Sequence, residues 1–228
     1  MRIIRHLVPV EAGELPLTVA RAGAHALDKR AAIVIVPSIF GVALDLQDQM
    51  EELATDARVV VALDTFFREG EGPIPYDKGP QAIALLASFD RKRAYRDLQA
   101  AITWTRAQEG VARVVMLGIC FGGSYALLAA ADQLVDGVVT WHGSRMESVV
   151  HRAPEIRCPM RLHFGSLDPI VPKAALDTIR GAFAGHDAVH IIEHEGANHG
   201  FSHRTAAGYH APAERAGMDA LRELAASG

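Results

Sequence analysis

Three short segments carry residue types that could do covalent chemistry: a thiol between glycines, an aspartate before a proline, and a histidine before a glycine. Cys120 stands in Gly118-Ile119-Cys120-Phe121-Gly122-Gly123, between an apolar run at Val114–Leu117 and a long apolar helical pattern. The order is strand, tight turn, helix. Such a turn strains its central residue, so small residues are needed two before and two after it, where strand and helix come close. A cysteine placed there projects from a strand's carboxyl end at a helix N-terminus, where free amides and the helix dipole favour thiolate over thiol. The Phe121 amide would face a substrate carbonyl oxygen as one arm of an oxyanion hole. A cysteine that only fills a core needs no such flanking glycines. A dinucleotide-binding turn is excluded, because Gly118-x-Cys120-x-x-Gly123 puts a side chain where that fingerprint needs a glycine.

A thiol nucleophile needs a base, and the base needs an orienting acid. In strand-turn-helix hydrolases the nucleophile comes first in the chain, the acid next and the histidine last, each after a strand. Asp168 lies in Gly165-Ser166-Leu167-Asp168-Pro169-Ile170-Val171-Pro172, a turn stiffened by prolines that follows a β-rich run at Arg161–Phe164. Alone, an Asp before Pro reads equally well as a turn former. His199 lies in Glu195-Gly196-Ala197-Asn198-His199-Gly200-Phe201, after a run at Ala188–Ile192. An imidazole there, with a carboxylate on its Nδ1 side, is held in the tautomer that takes the cysteine proton. The chain has 11 histidines, so type alone selects none of them. His190, His194 and His203 invite a metal reading, but no helical His-Glu-x-x-His pattern accompanies them. No metal and no cofactor is expected.

These loops require a sheet. Ile3–Val10 and Leu15–Arg21 alternate around Gly13 and read as an edge hairpin. Runs at Ala31–Val36, Val59–Leu63, Val114–Leu117, Gly137–Trp141, Arg161–Phe164 and Ala188–Ile192 read as buried strands. Most are separated by helical patterns, at Leu44–Thr55, Gln81–Ala87, Arg91–Gln108, Gly122–Gln133, Lys173–Ala184 and Gly208–Ala225, with Ser88 or Asp90 capping the third. The alternation predicts an α/β fold with a mostly parallel central sheet and helices on both faces. The Gly- and Pro-rich stretch Arg68–Pro80 reads as a surface loop near the strand ends. No repeat or linker divides the 228 residues, and one domain over 1–228 is expected.

Half the residues are hydrophobic and 22% are charged, which suits a packed globule. The net charge is -4 and the basic residues are scattered, so no stripe matches a phosphate backbone and nucleic acid is not an expected partner. No segment approaches a signal peptide or a membrane span, and two cysteines are too few for a disulfide framework. A cytoplasmic monomer or homodimer acting on a small molecule is expected.

Gly118-Ile119-Cys120-Phe121-Gly122-Gly123, Asp168-Pro169-Ile170-Val171-Pro172 and Asn198-His199-Gly200-Phe201, with Ile39-Phe40-Gly41 and Gly208-Tyr209, resemble the dienelactone hydrolase family of α/β-hydrolases. The resemblance implies an α/β-hydrolase fold whose Cys120, His199 and Asp168 cleave carboxylic esters or enol lactones through an acyl-cysteine. It also implies Ile39 as the second oxyanion amide and Arg68 as a grip for a substrate carboxylate. Ser38, Phe40, Trp141, His142, Phe201 and His203 are candidate pocket residues beside Arg68, with Phe67 a further wall. Two positions depart from the family pattern. Ser38 stands where typical members carry a glutamate tied to activation of the resting thiol, and a hydroxyl cannot replace a carboxylate base. His203 stands where an arginine is frequent, which weakens the case for strongly acidic lactones. Two alternatives stay open: attack on other electrophiles such as phosphotriesters, and a non-catalytic thiol redox-sensing or binding protein on the same scaffold.

Overall fold

The computed structural model describes residues 2–21, 30–70 and 72–227. They form two compact units, Met1–Val114 with Ala225–Gly228, and Val115–Leu224.

In the first unit, β1 (Arg2–Val10) and β2 (Gly13–Arg21) pair antiparallel across the expected hairpin, Val10 opposite Gly13. The turn holds Ala12 at φ 58 and Gly13 at φ 146, so the glycine serves as the permissive end of the turn. β3 (Ala31–Val36), α1 (Leu44–Leu53), β4 (Val59–Leu63), α2 (Gly79–Ala84) and α3 (Arg91–Arg106) follow. β4 lies between β2, antiparallel, and β3, parallel. Every residue of β3 and β4 is buried, as unbroken apolar runs demand when both faces of a sheet are covered. Helices α1 and α3 supply that cover. Of the two candidate caps, Asp90 begins α3, accepting from the amides of Lys92 and Arg93 at 3.0 Å each.

In the second unit, β5 (Arg113–Ile119), β6 (Gly137–Trp141), β7 (Met160–Gly165) and β8 (Val189–His194) lie side by side in chain order, every pairing parallel. α4 (Gly122–Ala131) follows β5, α5 (Lys173–Ala182) follows β7 and α6 (Ala211–Ala226) closes the unit. α4 is apolar and buried nearly all round, the signature of a central helix. Because all four strands point the same way, the loops after β5, β6, β7 and β8 leave from one edge.

The fold class is therefore α/β with mostly parallel pairing. Two expectations are corrected. α6 begins at Ala211, not Gly208: His210 Nδ1 accepts from the Ala213 amide, and the His210 and Tyr209 amides are committed to Phe201 and Ala206. The stretch Arg68–Pro80 is more ordered than its composition implies. Ile74 is buried, a 3-10 turn spans Tyr76–Lys78, and Tyr76 donates to Asp45 at 2.7 Å. Glu71, within it, lies outside the described residues.

Candidate active site

Cys120 is the residue between β5 and α4, and it adopts φ 55, the left-handed region that disfavours a side chain. A Cβ on Gly118 would collide with the Gly122 carbonyl, so the close approach expected of these two glycines is present. The turn is locked by its own backbone: Cys120 N donates to Trp141 O at 3.1 Å, and Cys120 O accepts from Gly123 N at 3.0 Å and Ser144 N at 2.8 Å.

The imidazole of His199 reaches this turn from the loop after β8. Its Nε2 is 3.2 Å from Cys120 Sγ, and its Nδ1 is 2.7 Å from Asp168 Oδ2. Asp168 Oδ1 accepts from the amides of Ile170 at 2.8 Å and Val171 at 3.1 Å. One oxygen of Asp168 thus folds the turn while the other meets the histidine. Burial alone would lower the proton affinity of His199; the hydrogen bonds with Asp168 and Cys120 outweigh it and raise the pKa to about 9. A charged imidazolium facing the sulfur is what that shift describes.

His142, directly after β6, joins this group. It is fully buried, adopts φ 40 and packs edge-on against His199 at 4.7 Å between ring centres. Its Nε2 is 2.9 Å from Ser202 Oγ. Burial, then the neighbouring His199 and His203, push its pKa well below the usual histidine value, so this ring is neutral. Phe201 and His203 also meet it in T-shaped contacts, at 5.0 and 5.2 Å between ring centres. Ser144 Oγ lies 3.8 Å from the sulfur. Ser144 and Ser202 were not singled out in the sequence; the signal was their place, two residues past His142 and three past His199 on the strand-end loops.

Residues 18–225 match the description "Dienelactone hydrolase family". The chain belongs to that family. A carboxymethylenebutenolidase of Pseudomonas putida is 31% identical to it over 186 residues, 79% of each chain. Among solved structures, a dienelactone hydrolase-like promiscuous phosphotriesterase, P91, from metagenomic libraries superposes with TM-score 0.80 at 21% identity, covering 99% of this chain and 98% of that one. A dienelactone hydrolase of Anabaena variabilis does so with TM-score 0.71 at 16% identity, covering 98% and 96%. These two likenesses bear on the fold, which is that of the α/β-hydrolases.

Against this family's pattern, the remaining expected site residues separate. His142 stands beside the imidazole, with Phe201 and His203 buried behind it. Trp141 does not act as a pocket wall: its ring is fully buried against Gly217 of α6, where a Cβ would strike the indole, and only its carbonyl serves the turn. In the first unit, Ser38 is buried and its Oγ accepts from the Phe40 amide at 3.4 Å, shaping the turn that carries Ile39. Phe40 packs edge-on against Tyr76 at 5.0 Å. Arg68 is not a free grip for a carboxylate. Its guanidinium is bidentate on Asp97, at 2.5 and 3.1 Å, and also donates to the Glu11 carbonyl at 2.7 Å. Asp97 is buried, so removing Arg68 would strand a charge at a cost of about 3–5 kcal/mol. Arg68 also lines a cleft of about 800 Å³ with Arg5, Asp64 and Phe67, to which none of Cys120, Asp168 and His199 contributes.

Proposed function

We propose that this family member hydrolyses carboxylic esters or lactones by covalent catalysis at Cys120. The 3.2 Å approach of His199 Nε2 to the sulfur, with Asp168 behind the ring, carries the reading. The thiolate attacks the carbonyl carbon, forming a C–S bond and a tetrahedral oxyanion opposite the Phe121 amide. Collapse expels the alkoxide, which takes the Nε2 proton from His199. Water, giving its proton to the same nitrogen, then attacks the thioester and returns the thiolate with a carboxylic acid. Asp168 keeps the ring oriented throughout.

Arg68 is committed to Asp97 rather than offered to a substrate carboxylate, and the favoured acyl group is uncharged. No helix among the described residues is long and apolar enough to cross a membrane. Both cysteines are free, and a nucleophilic thiol persists where the surroundings are reducing, so we place the enzyme in the cytoplasm.

A panel of aryl esters, enol lactones and phosphotriesters tests the reading. The parent should release one equivalent of chromophore per site in a burst from an aryl ester, iodoacetamide should abolish it, and Cys120→Ala should lose turnover. Full esterase activity in Cys120→Ala ends the proposal. Turnover confined to phosphotriesters would transfer the same nucleophile to phosphorus.

A further inference from the structure

Cys120 Sγ, one ring nitrogen of His142 and one of His199 lie within 4.8 Å of one another, at the carboxyl ends of β5, β6 and β8. None of the three histidines that invite a metal reading in the sequence is in this group. Around a tetrahedral zinc, with bonds near 2.3 Å to sulfur and 2.0–2.1 Å to nitrogen, donors stand roughly 3.3–3.6 Å apart. Closing this cluster on an ion therefore asks for shifts of about an ångström, taken up by side-chain rotation.

The surroundings are those of a metal-bound histidine pair. Such a histidine uses one nitrogen for the metal and donates the other N–H to an oxygen, which fixes tautomer and orientation. His199 has Asp168 on Nδ1, and His142 has Ser202 on Nε2. With Nε2–H donating to Ser202, His142 Nδ1 carries a lone pair, and that atom is buried with no hydrogen-bond partner among the described residues. A buried nitrogen left without a partner is destabilising, a deficit that coordination removes. Thiolate and imidazole suit a borderline cation of the zinc class, whereas magnesium and calcium prefer oxygen ligands and this trio offers one sulfur and two nitrogens.

We propose that Cys120, His142 and His199 form a binding site for a zinc-class divalent cation, which occupies the nucleophile reversibly and blocks its attack on substrate. Binding forms one metal–sulfur and two metal–nitrogen bonds with no change of oxidation state. The proton shared by the His199–Cys120 pair leaves to solvent, and one position stays open for water. Metal binding is read without turnover, so the site stands or falls separately from the hydrolysis proposed above.

The test titrates the metal-free protein with Co2+ and then Zn2+. One equivalent of cobalt should give the intense visible bands of a tetrahedral complex with sulfur-to-cobalt charge transfer. Zinc should displace it, and a chelator should reverse both. Cys120→Ser should lose the charge-transfer band, and His142→Phe, checked for fold by circular dichroism, should weaken zinc about tenfold or more. In the unmodified protein, saturating zinc should strongly slow alkylation of Cys120, followed by peptide mass spectrometry. That arm needs no variant and decides the matter if His142→Phe does not fold. A cobalt complex without sulfur charge transfer, an alkylation rate indifferent to zinc, or a folded His142→Phe that holds zinc as tightly as the parent would each overturn the site.

Discussion

His199 and His142 face each other at 4.7 Å, both are largely shielded from solvent, and their proton affinities move in opposite directions. Burial acts on both in the same sense, against the charged form. The difference lies on the far nitrogen. A carboxylate gains when His199 becomes cationic, while the Ser202 hydroxyl offers His142 no such gain. The two neighbouring imidazoles are thus shifted in opposite directions, His142 by burial and its histidine neighbours and His199 by hydrogen bonds with Asp168 and Cys120 that outweigh burial.

The strongest way to break this contrast is Asp168→Asn, which should make His199 resemble His142. The ester kcat/KM should fall about 10²- to 10⁴-fold, by loss of orientation and of the charge partner. The pH profile carries the sign. The folded pKa of His199 is raised to about 9, so its charge stabilises the protein fully below its unfolded value, near 6.5, and that contribution fades as pH rises through about 9. Protonation of the leaving group should fail over the same range, giving an alkaline limb near pH 9 that moves down in Asp168→Asn. A limb that stays in place would show that Asp168 does not set the proton affinity of His199.

A smaller effect is expected on the other side. Ser202→Ala removes the hydroxyl beside His142 Nε2 and should cost about 1–3 kcal/mol in urea unfolding while leaving the alkaline limb where it was. A shifted limb would mean that the two rings titrate as a unit. Smallest of all is Cys158→Ala. That thiol is pushed up to about 11 by burial, so ester turnover and its sensitivity to iodoacetamide should be unchanged. Lost sensitivity would move the reactive thiol from position 120 to 158.

Strands and the convergence of Cys120, Asp168 and His199 were legible in the sequence for related reasons. Continuous apolar runs such as Val59–Leu63 have no reading other than a buried segment, and the glycines around Cys120 mark a close approach that a larger residue at Gly118 could not survive. Asp168 and His199 were legible by chain order after strands. Side-chain commitments made by distant partners were not. Nothing in the neighbourhood of Arg68 announces Asp97, 29 positions on, as the group that neutralises it. Trp141 reads as a pocket wall until Gly217, far along the chain, is seen pressed against its ring. His142 was named for its place at a strand end, but its orphaned nitrogen depends on Ser202, 60 positions away.

The 3.2 Å contact between Cys120 Sγ and His199 Nε2 is made by loops that the strands themselves position, so the proposed nucleophile and its base are brought together by the fold. An enzyme armed in this way should show no lag on first mixing with ester. The same readiness leaves it open to ageing: each idle hour exposes a reactive sulfur to whatever oxidant diffuses past, so its working lifetime is set by the reductant around it as much as by its thermal stability.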